Sequence, residues 1–483
     1  MIGDFKLYPA MKDSGVPWLG DVPVHWEVGK LRHLLRRVTE RNRPDLPLLS
    51  VVREKGVIQR DTTSKDENRN FIPDDLSNYK VARAGQFVMN KMKAWQGSYG
   101  ISRQEGIVSP AYFVFDVTRA DGDFFHTAIR SRTYIPFFTQ ASDGVRIGQW
   151  DLAETRMKEI PFFVPSLSEQ VAIVRFLDHA DRRIRRYIRA KQKLIKLLKE
   201  QKQAKIYQAV TRGLDPNVRL KPSGVEWLGD VPERWEVRRL KTLVRRIDQG
   251  VSPQAESYLA DGDAWGVLKA GCVNHGVFKE REHKRLPGDF AFDPILAVAP
   301  GDVLVSRASG SPHLVGSVGR VSSISYKVIL SDKTFRPVFN QDVDPDFMVL
   351  AMNSRYYRQQ VEQAISGAEG LANNLPLSSL RGLIFAIPPV EEQQAIIEYL
   401  RGSTEQLRAT LAQAEREIPL LREYRSRLIS DVVTGKLDVR EAAAQLLPEE
   451  ADELEESLIV NEAVDGDEAE LPSDELVEEE VVA

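Results

Sequence analysis

The chain has 483 residues, of which 42% are hydrophobic and 28% are charged, so it can form sizeable folded cores. Its single cysteine, Cys272, excludes an internal disulfide framework and a structural zinc site built from several cysteines. It has no uncharged apolar stretch of about 18 residues and no basic-then-apolar N-terminus. We therefore expect neither a transmembrane helix nor a signal peptide, and a cytoplasmic location.

The charges are distributed unevenly along the chain. The segment 448–483 contains 16 Asp and Glu residues and no Lys or Arg. Since the whole chain carries a formal net charge of −4, the remaining residues carry +12. A basic body favours an anionic partner such as nucleic acid. The acidic tail is predicted to be disordered, and it would either keep the protein in solution or compete with nucleic acid for basic surface.

A motif rich in Trp and Pro, here called the box, occurs twice. SGVPWLGDVPVHWEV at 14–28 returns as SGVEWLGDVPERWEV at 223–237, and 17 of 27 positions are identical between 12–38 and 221–247. A repeat at this distance indicates an internal duplication. We expect the box side chains to pack as a plug or hinge between each variable region and a helix, in preference to an exposed role. They are Trp18, Pro23, Trp26, Trp227, Pro232 and Trp235.

The first variable region, 39–160, has a mixed α/β pattern. The stretches 85–92 and 106–117 are predicted to be strands, and 123–138 is predicted to be a helix. The loop NKMKAWQGSYG, at 90–100, combines cations, an aromatic ring and an amide. Lys and Gln side chains can pair with base edges, and Ser can pair with bases or phosphates. The candidate DNA-binding residues of this loop are Lys91, Lys93, Trp95, Gln96 and Ser98.

A long helix is predicted over 161–213. Apolar residues recur there every three or four positions, and the start VPSLSEQ places a proline and an acidic residue at the N-terminus. Gly213 is expected to end the helix. The basic run at 181–199 is either a solvated face or a contact surface for DNA phosphates or a partner subunit.

The second variable region, 248–382, follows the same order of elements. Strands are predicted at 301–307 and 327–332, and a helix at 345–365. Its loop, at 306–319, contains glycines that permit close approach of the backbone to a ligand. The candidate DNA-binding residues here are Arg307, Ser309, Ser311 and His313. Either loop could instead be an ordinary polar turn between strands.

A second long helix is predicted over 383–437, with Gly435 as its stop. EQVAIVRFLD and AVTRGLD in the first helical segment match EQQAIIEYLR and VVTGKLD in the second, both at an offset of 223 residues. The segments 169–211 and 392–434 of these helices are therefore of equal length, about 65 Å for about 43 residues. Neither can bury its apolar stripe alone, so we expect them to pack on each other. Pro419 is expected to kink the second helix.

These elements predict an α+β protein with a pseudo-two-fold internal repeat and with its chain ends close together. The predicted division is 1–160, 161–213, 214–382, 383–437 and 438–483. The sequence contains no GxxxxGK[ST] phosphate-binding loop, no HExxH motif and no GxSxG motif. We therefore expect the chain not to be an enzyme and to hold no metal.

The two boxes, the helix starts PSLSEQVAIVRFLD and PPVEEQQAIIEYL, the helix end LISDVVTGKLDVR and the two loop stretches resemble the specificity (S) subunit of type I restriction–modification enzymes. The resemblance covers roughly residues 12–440. It implies two target-recognition domains joined by two long antiparallel helices that form a coiled coil. Each domain would read one half of a split double-stranded DNA sequence, and the helices would set the spacer between the halves.

The resemblance also implies the partners. A non-catalytic S subunit docks two modification (M) subunits, which methylate adenine with S-adenosylmethionine, and restriction (R) subunits, which use ATP and Mg²⁺. Because the two variable regions differ, the target should be asymmetric. Two alternatives remain open, namely a self-sufficient restriction or modification enzyme with this recognition module, and a coiled-coil scaffold that does not bind DNA.

Overall fold

The computed structural model describes residues 6–16, 19–60, 72–73, 75–144, 150–365 and 373–446. The chain divides into two compact units. The first unit comprises Met1–Arg189 and Glu417–Ala483, and the second unit is Ala190–Arg416. Each unit therefore contains one box, one variable region, the N-terminal part of one long helix and the C-terminal part of the other.

The first unit contains fourteen short strands among its described residues. They are β1 (Met11–Asp13), β2 (Asp21–Pro23), β3 (Glu27–Lys30), β4 (Leu35–Val38), β5 (Leu49–Val52), β6 (Gly56–Gln59), β7 (Lys80–Ala82), β8 (Phe87–Asn90), β9 (Tyr99–Ile101), β10 (Gly106–Val108), β11 (Tyr112–Val117), β12 (Ser142–Asp143), β13 (Asp151–Leu152) and β14 (Pro161–Val164). The helices that begin here are α1 (Leu31–Leu34), α2 (Gly122–Ile129), α3 (Ile135–Gln140), α4 (Glu154–Met157) and α5 (Leu167–Arg212).

A four-stranded antiparallel sheet in the order β4-β11-β8-β9 forms the centre of the first unit. Every residue of β8 is buried, because both faces of this strand are covered. Helices α2 and α3 supply the covering aromatic rings. The Phe125 ring lies 5.2 Å from that of Phe87, and the Phe138 ring lies 4.3 Å from that of Tyr99. Aromatic packing therefore fixes the helices on the sheet.

The second unit follows with its own strands and helices. The strands are β15 (Leu220–Pro222), β16 (Asp230–Pro232), β17 (Glu236–Arg239), β18 (Val244–Gln249), β19 (Trp265–Leu268), β20 (His283–Arg285), β21 (Val303–Ser306), β22 (Ala308–Ser309), β23 (Val318–Arg320), β24 (Lys327–Ile329), β25 (Thr334–Phe339), β26 (Asn373–Asn374) and β27 (Ile384–Ile387). The helices are α6 (Leu240–Leu243), α7 (Pro345–Ala351), α8 (Arg355–Ala364), α9 (Leu377–Gly382) and α10 (Val390–Val433), and α11 (Arg440–Gln445) completes the first unit.

The sheet order of the first unit is repeated in the second as β18-β25-β21-β23. The box hairpin β1-β2 corresponds to β15-β16, and the pair β3-β14 corresponds to β17-β27. The units differ between these shared strands. The first carries the pairs β5-β6 and β7-β10, whereas the second carries the three-stranded sheet β20-β19-β24. This order confirms the predicted internal repeat of two mixed α/β domains.

The two long helices run antiparallel within each unit. In the first unit, Ile173 near the start of α5 shares a core with Val432 near the end of α10. In the second unit, Val210 near the end of α5 shares a core with Ile396 near the start of α10. An ion pair also joins the helices in each unit, Arg425 with Asp181 in the first and Lys199 with Glu415 in the second. The predicted packing of the helices on each other is confirmed.

The boxes lie where the long helices end. Trp26 and Trp235 are almost completely buried, which confirms the packing interpretation for both. Gly435 follows α10 with a φ of +74°, and a Cβ atom there would lie 2.3 Å from Cδ of Pro23. Gly213 follows α5 with the same φ, and a Cβ atom there would lie 3.4 Å from Cζ2 of Trp235. Each glycine that ends a helix is therefore also the contact point for a box.

The two ends of the described chain meet in the first unit. The Asp438 N–H donates to the Lys6 carbonyl at 2.8 Å, and Lys6 Nζ lies 2.6 Å from Glu441 Oε2. This contact brings the two ends of the described part of the chain close together. The side chain of Trp18 and the acidic tail, which also entered the sequence-based predictions, lie outside the described residues.

Buried Glu169 joins the first box to the start of α5. Its Oε1 accepts from Trp26 Nε1 at 3.1 Å and from the Tyr8 hydroxyl at 2.6 Å, while Oε2 lies 2.9 Å from His25 Nε2. Burial, and the hydrogen bond to Glu169, raise the pKa of Tyr8, which therefore stays a neutral donor. Arg440 lies over the Tyr8 ring at 5.1 Å, so α11 joins the same cluster.

Several predicted elements are shorter than the sequence pattern suggested. The helix predicted at 123–138 is two helices, α2 and α3, because Pro136 favours a new helix start over continuation. The helix predicted at 345–365 is also two helices, α7 and α8, which are separated by residues 352–354. The strand predicted at 106–117 is interrupted around Pro110, which cannot donate a ladder hydrogen bond.

The long helices also begin later than the sequence suggested. Residues 161–164 pair with β3 as strand β14, so the first long helix starts at Leu167. The second starts at Val390, after β27. Pro419 lies inside α10, and the helix continues on both sides of it. None of the helices in the described part of the chain is both long and apolar enough to cross a membrane.

Candidate nucleic-acid interface

The two loops singled out by their composition occupy the same place in the two sheets. Residues 91–98 connect β8 to β9, and residues 307–317 connect β21 to β23. In both units this connection joins the third and fourth strands of the sheet order. The sequences of the two loops are unrelated, so their equivalence is a property of the fold.

Lys91 and Arg307 are equivalent residues in this arrangement. Each follows directly after the third strand of its sheet. The Lys91 carbonyl accepts from the Leu152 N–H at 3.1 Å, and the Arg307 carbonyl accepts from the Leu375 N–H at 2.8 Å. Both units therefore fix the backbone of one cationic residue at the base of the loop by the same hydrogen bond.

The side chains of the first loop are held to different degrees. Lys91 Nζ lies 2.8 Å from Asp151 Oδ2, and Lys93 is exposed. Trp95 packs on Trp150 with ring centroids 5.2 Å apart, and its buried Nε1 has no hydrogen-bond partner among the described residues. The packed ring pair therefore gives the loop one aromatic face.

Two other candidates of the first loop have different surroundings. Gln96 is half-buried at the end of the 3₁₀ turn Ala94–Gln96, which Gly97 terminates with a φ of +95°. Ser98 is only 3% exposed and lies beneath the loop surface. Lys93 is therefore the most accessible of the five candidates, and Ser98 is the least accessible.

The second loop presents its candidates differently. Arg307 is half-buried, and its Nη1 donates to the Asp332 carbonyl at 2.9 Å. Ser309 and Ser311 are half-buried, and the Ser309 hydroxyl accepts from the Ser311 N–H at 3.2 Å. His313 is exposed on the 3₁₀ turn Pro312–Leu314. The cation lies at the base of the loop, and the imidazole lies at its tip.

Helix α8 supports the second loop from behind. The Tyr357 hydroxyl donates to the Gly316 carbonyl at 2.8 Å, and Arg358 Nη1 donates to the Val315 carbonyl at 2.6 Å. Gly316 has a φ of +77°, and a Cβ atom there would lie 2.8 Å from Val361 Cγ1. The loop can therefore approach the helix this closely only with glycine at that position.

Helices α2 and α3 support the first loop in a corresponding way. The Thr139 hydroxyl donates to the Trp95 carbonyl at 3.2 Å. His126 Nδ1 accepts from the Ile101 N–H at 3.0 Å, in the strand that follows the loop. Burial, and to a lesser extent Arg130, lower the pKa of His126 to about 4, so this imidazole is neutral and available as an acceptor.

These supporting residues were not predicted from the sequence. Thr139, His126, Tyr357 and Arg358 carry no local signal, because each acts on a loop that is distant along the chain. Among the described residues, no group of three His, Cys, Asp or Glu side chains could hold a metal ion. The candidate side chains that the two loops expose carry N–H groups, which suit phosphate oxygens and base edges.

Known proteins share sequence similarity with this chain. No protein-family model matches the chain. The chain is 29% identical over 191 residues to the specificity subunit of the type I restriction enzyme EcoEI from Escherichia coli, and the match covers 38% of this chain and 32% of that protein. It is 24% identical over 281 residues to the MjaVIII specificity subunit from Methanocaldococcus jannaschii, covering 57% and 62%. Both matches span less than two thirds of the relative's length.

A solved structure shows the same fold. It is a chain from a study of complex assembly and conformational transition in the type I R-M system, matched with a TM-score of 0.64 at 16% sequence identity. The match covers 86% of this chain and 99% of that chain. The fold thus defines a protein with two mixed α/β units on a pair of long antiparallel helices. The sequence matches identify the chain as a relative of type I restriction enzyme specificity subunits, which confirms the resemblance.

Proposed function

We propose that the chain is the DNA-recognition subunit of a type I restriction–modification complex. In this proposal each unit reads one part of a split double-stranded DNA target. The observation that carries the proposal is the equivalence of the two loops. They occupy one place in a duplicated sheet, they hold Lys91 and Arg307 at one position, and they otherwise differ in sequence.

The differences between the loops support an asymmetric target. The first loop offers two lysines, a tryptophan and a glutamine, whereas the second offers an arginine, serines and a histidine. Such sets make different hydrogen bonds with base edges, so the two half-sites should differ in sequence. The net charge of +12 on the chain without its acidic tail supports binding to an anionic partner.

The second part of the proposal concerns the partners. The chain would bind two modification (M) subunits and the restriction (R) subunits, and would carry out neither reaction itself. S-adenosylmethionine, ATP and Mg²⁺ would bind to those partners. The support is the sequence similarity to specificity subunits and the lack of a recognisable phosphate-binding or hydrolase motif in the sequence.

The experiment is to produce the chain with its M partner and to map the methylated adenines in cellular DNA. A two-part, asymmetric sequence is expected, and it should be absent when either protein is omitted. Methylation or cleavage by the purified chain alone would instead support a self-sufficient enzyme. The lack of salt-dependent DNA binding would support a scaffold that does not bind DNA.

A further inference from the structure

A buried glutamine in the first turn of each long helix makes the same pair of hydrogen bonds in both units. Gln170 Oε1 accepts from the Asp121 N–H at 2.7 Å, and its Nε2 donates to the Pro165 carbonyl at 2.8 Å. Gln393 Oε1 accepts from the Asp344 N–H at 2.7 Å, and its Nε2 donates to the Pro388 carbonyl at 2.9 Å. The glutamines are 2% and 0% exposed.

The residues that these glutamines bind are helix caps. The Asp121 carboxylate accepts from the Phe124 N–H at 2.9 Å and caps α2. The Asp344 carboxylate accepts from the Asp346 N–H at 2.8 Å and caps α7. Each glutamine thus connects the start of a long helix to the N-terminus of a helix in the variable region.

These capped helices lead on to the candidate loops. In the first unit, His126 on α2 binds the backbone of Ile101 in β9, the strand that follows the first loop. In the second unit, Asn353, just after α7, donates to the Val318 carbonyl at 3.0 Å in β23, the strand that follows the second loop. A continuous path therefore runs from each long helix through glutamine, aspartate and a short helix to the strand that follows a loop.

The path is duplicated with the same spacing. In each unit 49 residues separate the aspartate from the glutamine, although the far end of the path is not at an equivalent position, since it is His126 in the first unit and Asn353 in the second. An apolar side chain could fill the same buried volume, but it would not fix a direction. Two hydrogen bonds on one planar amide fix both distance and angle, and they are strong in a buried site.

We propose that Gln170 and Gln393 are positioning residues that fix each recognition loop relative to its own long helix, and so restrict the half-site spacing that the complex accepts. This inference rests on the proposed function. A spacer with one extra base pair moves one half-site by about 3.4 Å and turns it by about 34°. A rigid attachment of the loops should reject that change, whereas a looser attachment should tolerate it.

The test uses the complex of the full chain with its M partner. Methylation is measured on DNA with the natural spacer and with the spacer lengthened or shortened by one base pair. Gln170→Met and Gln393→Met keep the side-chain length and remove these hydrogen bonds, together with a third one at Gln393, whose Nε2 also donates to the Asp342 carbonyl at 2.9 Å. Gln201→Met and Gln394→Met, at exposed positions of the same helices, are the matched controls. All variants are checked by thermal unfolding.

We expect the controls to discriminate between spacers as the natural protein does. Discrimination should fall about tenfold in each buried variant, which corresponds to the loss of a typical buried hydrogen bond. Methylation of the natural spacer should fall much less. Asn353→Ala removes the hydrogen bond to the Val318 carbonyl at a half-buried position of the same path. It should lower the discrimination between spacers even if the glutamine variants fail to fold.

Three results would overturn the inference. They are unchanged spacer discrimination in folded variants, an equal loss of methylation at all spacers, and a natural complex that methylates all three spacers equally. Failure of the proposed function gives a different result, because no split sequence would then be methylated by the natural complex.

Discussion

The two units form the same junction between a box and the long helices, but they do so with different polar side chains. In the first unit, the Trp26 indole N–H, the Tyr8 hydroxyl and His25 all meet Glu169. In the second unit, the corresponding indole N–H of Trp235 is buried and has no hydrogen-bond partner among the described residues. The sequence repeat places Asn217 and Arg234 where the first unit has Tyr8 and His25.

This difference shows which features the duplicated fold requires. Both units keep a buried tryptophan, a glycine at the end of a helix and the glutamine–aspartate connection. Among the described residues, only the first unit adds the carboxylate cluster, which also contacts α11 through Arg440. Apolar packing and the glutamine therefore define the junction, and the cluster strengthens one copy of it. Four predictions test this comparison.

The largest effect is expected from removing the carboxylate of the first junction. Glu169→Ala leaves the Trp26 N–H and the Tyr8 hydroxyl buried without their acceptor, so the free energy of unfolding should fall by about 4 kcal/mol. Glu392→Ala, at the equivalent and partly exposed position, should lower it by less than about 1 kcal/mol. Urea unfolding of both variants measures the difference. Equal losses would show that the two junctions are energetically alike.

The helix-ending glycines should also differ. Gly435→Ala places a methyl group against the rigid Pro23 ring at a φ of +74°, and should lower the free energy of unfolding by about 3 kcal/mol. A Cβ atom at Gly213 would lie nearest to Glu392 Oε1, at a distance of 2.9 Å, and this carboxylate is on a side chain that can move. Gly213→Ala should therefore cost about 1–2 kcal/mol, mainly from the backbone. Thermal unfolding compares the pair, and a larger loss at Gly213 would contradict this account.

The first unit should also be sensitive to acid through His126. The folded pKa of about 4 lies below the ordinary value of 6.5, so the unfolded chain binds the additional proton between these pH values. The stability contribution is complete above about pH 6.5 and is lost as the pH falls towards 4, by up to about 3 kcal/mol.

The second unit has Val349 at the equivalent position, which does not titrate. His126→Gln keeps an acceptor for the Ile101 N–H but cannot be protonated. The unfolding free energy of this variant should therefore change less between pH 6.5 and pH 4 than that of the natural protein. An unaltered pH dependence would assign the acid sensitivity to other groups.

The smallest effects in free energy concern the equivalent loop cations. If Lys91 or Arg307 reads a base, its replacement by alanine should weaken recognition by about 1–3 kcal/mol at one position of one half-site. If it contacts a phosphate, the loss should be uniform across sequences, and the salt dependence of binding should fall by about one unit. Each variant should affect only its own half of the methylated motif. No change in affinity or motif in either variant would remove both residues from the interface.

The sequence predicted the architecture well because the duplication supplied an internal alignment. The identical boxes and the offset of 223 residues located both long helices, and Gly213 and Gly435 marked their ends. The limits of the shorter elements were less accurate. Tertiary pairing of residues 161–164 with β3 took precedence over continuation of the helix, and Pro136 divided a helix that the apolar pattern had joined.

The candidate loops were found only partly from the sequence. Composition identified both loops, but their equivalence requires the strand order, since their sequences share no pattern. Gln170 and Gln393 were visible as a shared EQ pair, yet that pair indicated only an acidic helix start. Their aspartate partners lie 49 residues away, and no local pattern predicts such a distant hydrogen bond.

The division of the chain between the units has a consequence for synthesis on the ribosome. The second unit is one continuous stretch, Ala190–Arg416, whereas the core of the first needs Leu428, Val432 and Val439 from the end of the chain. The unit that is translated first can therefore complete its core only last. Its early residues must wait through the translation of more than 200 others, which reverses the usual order in which domains fold as they emerge.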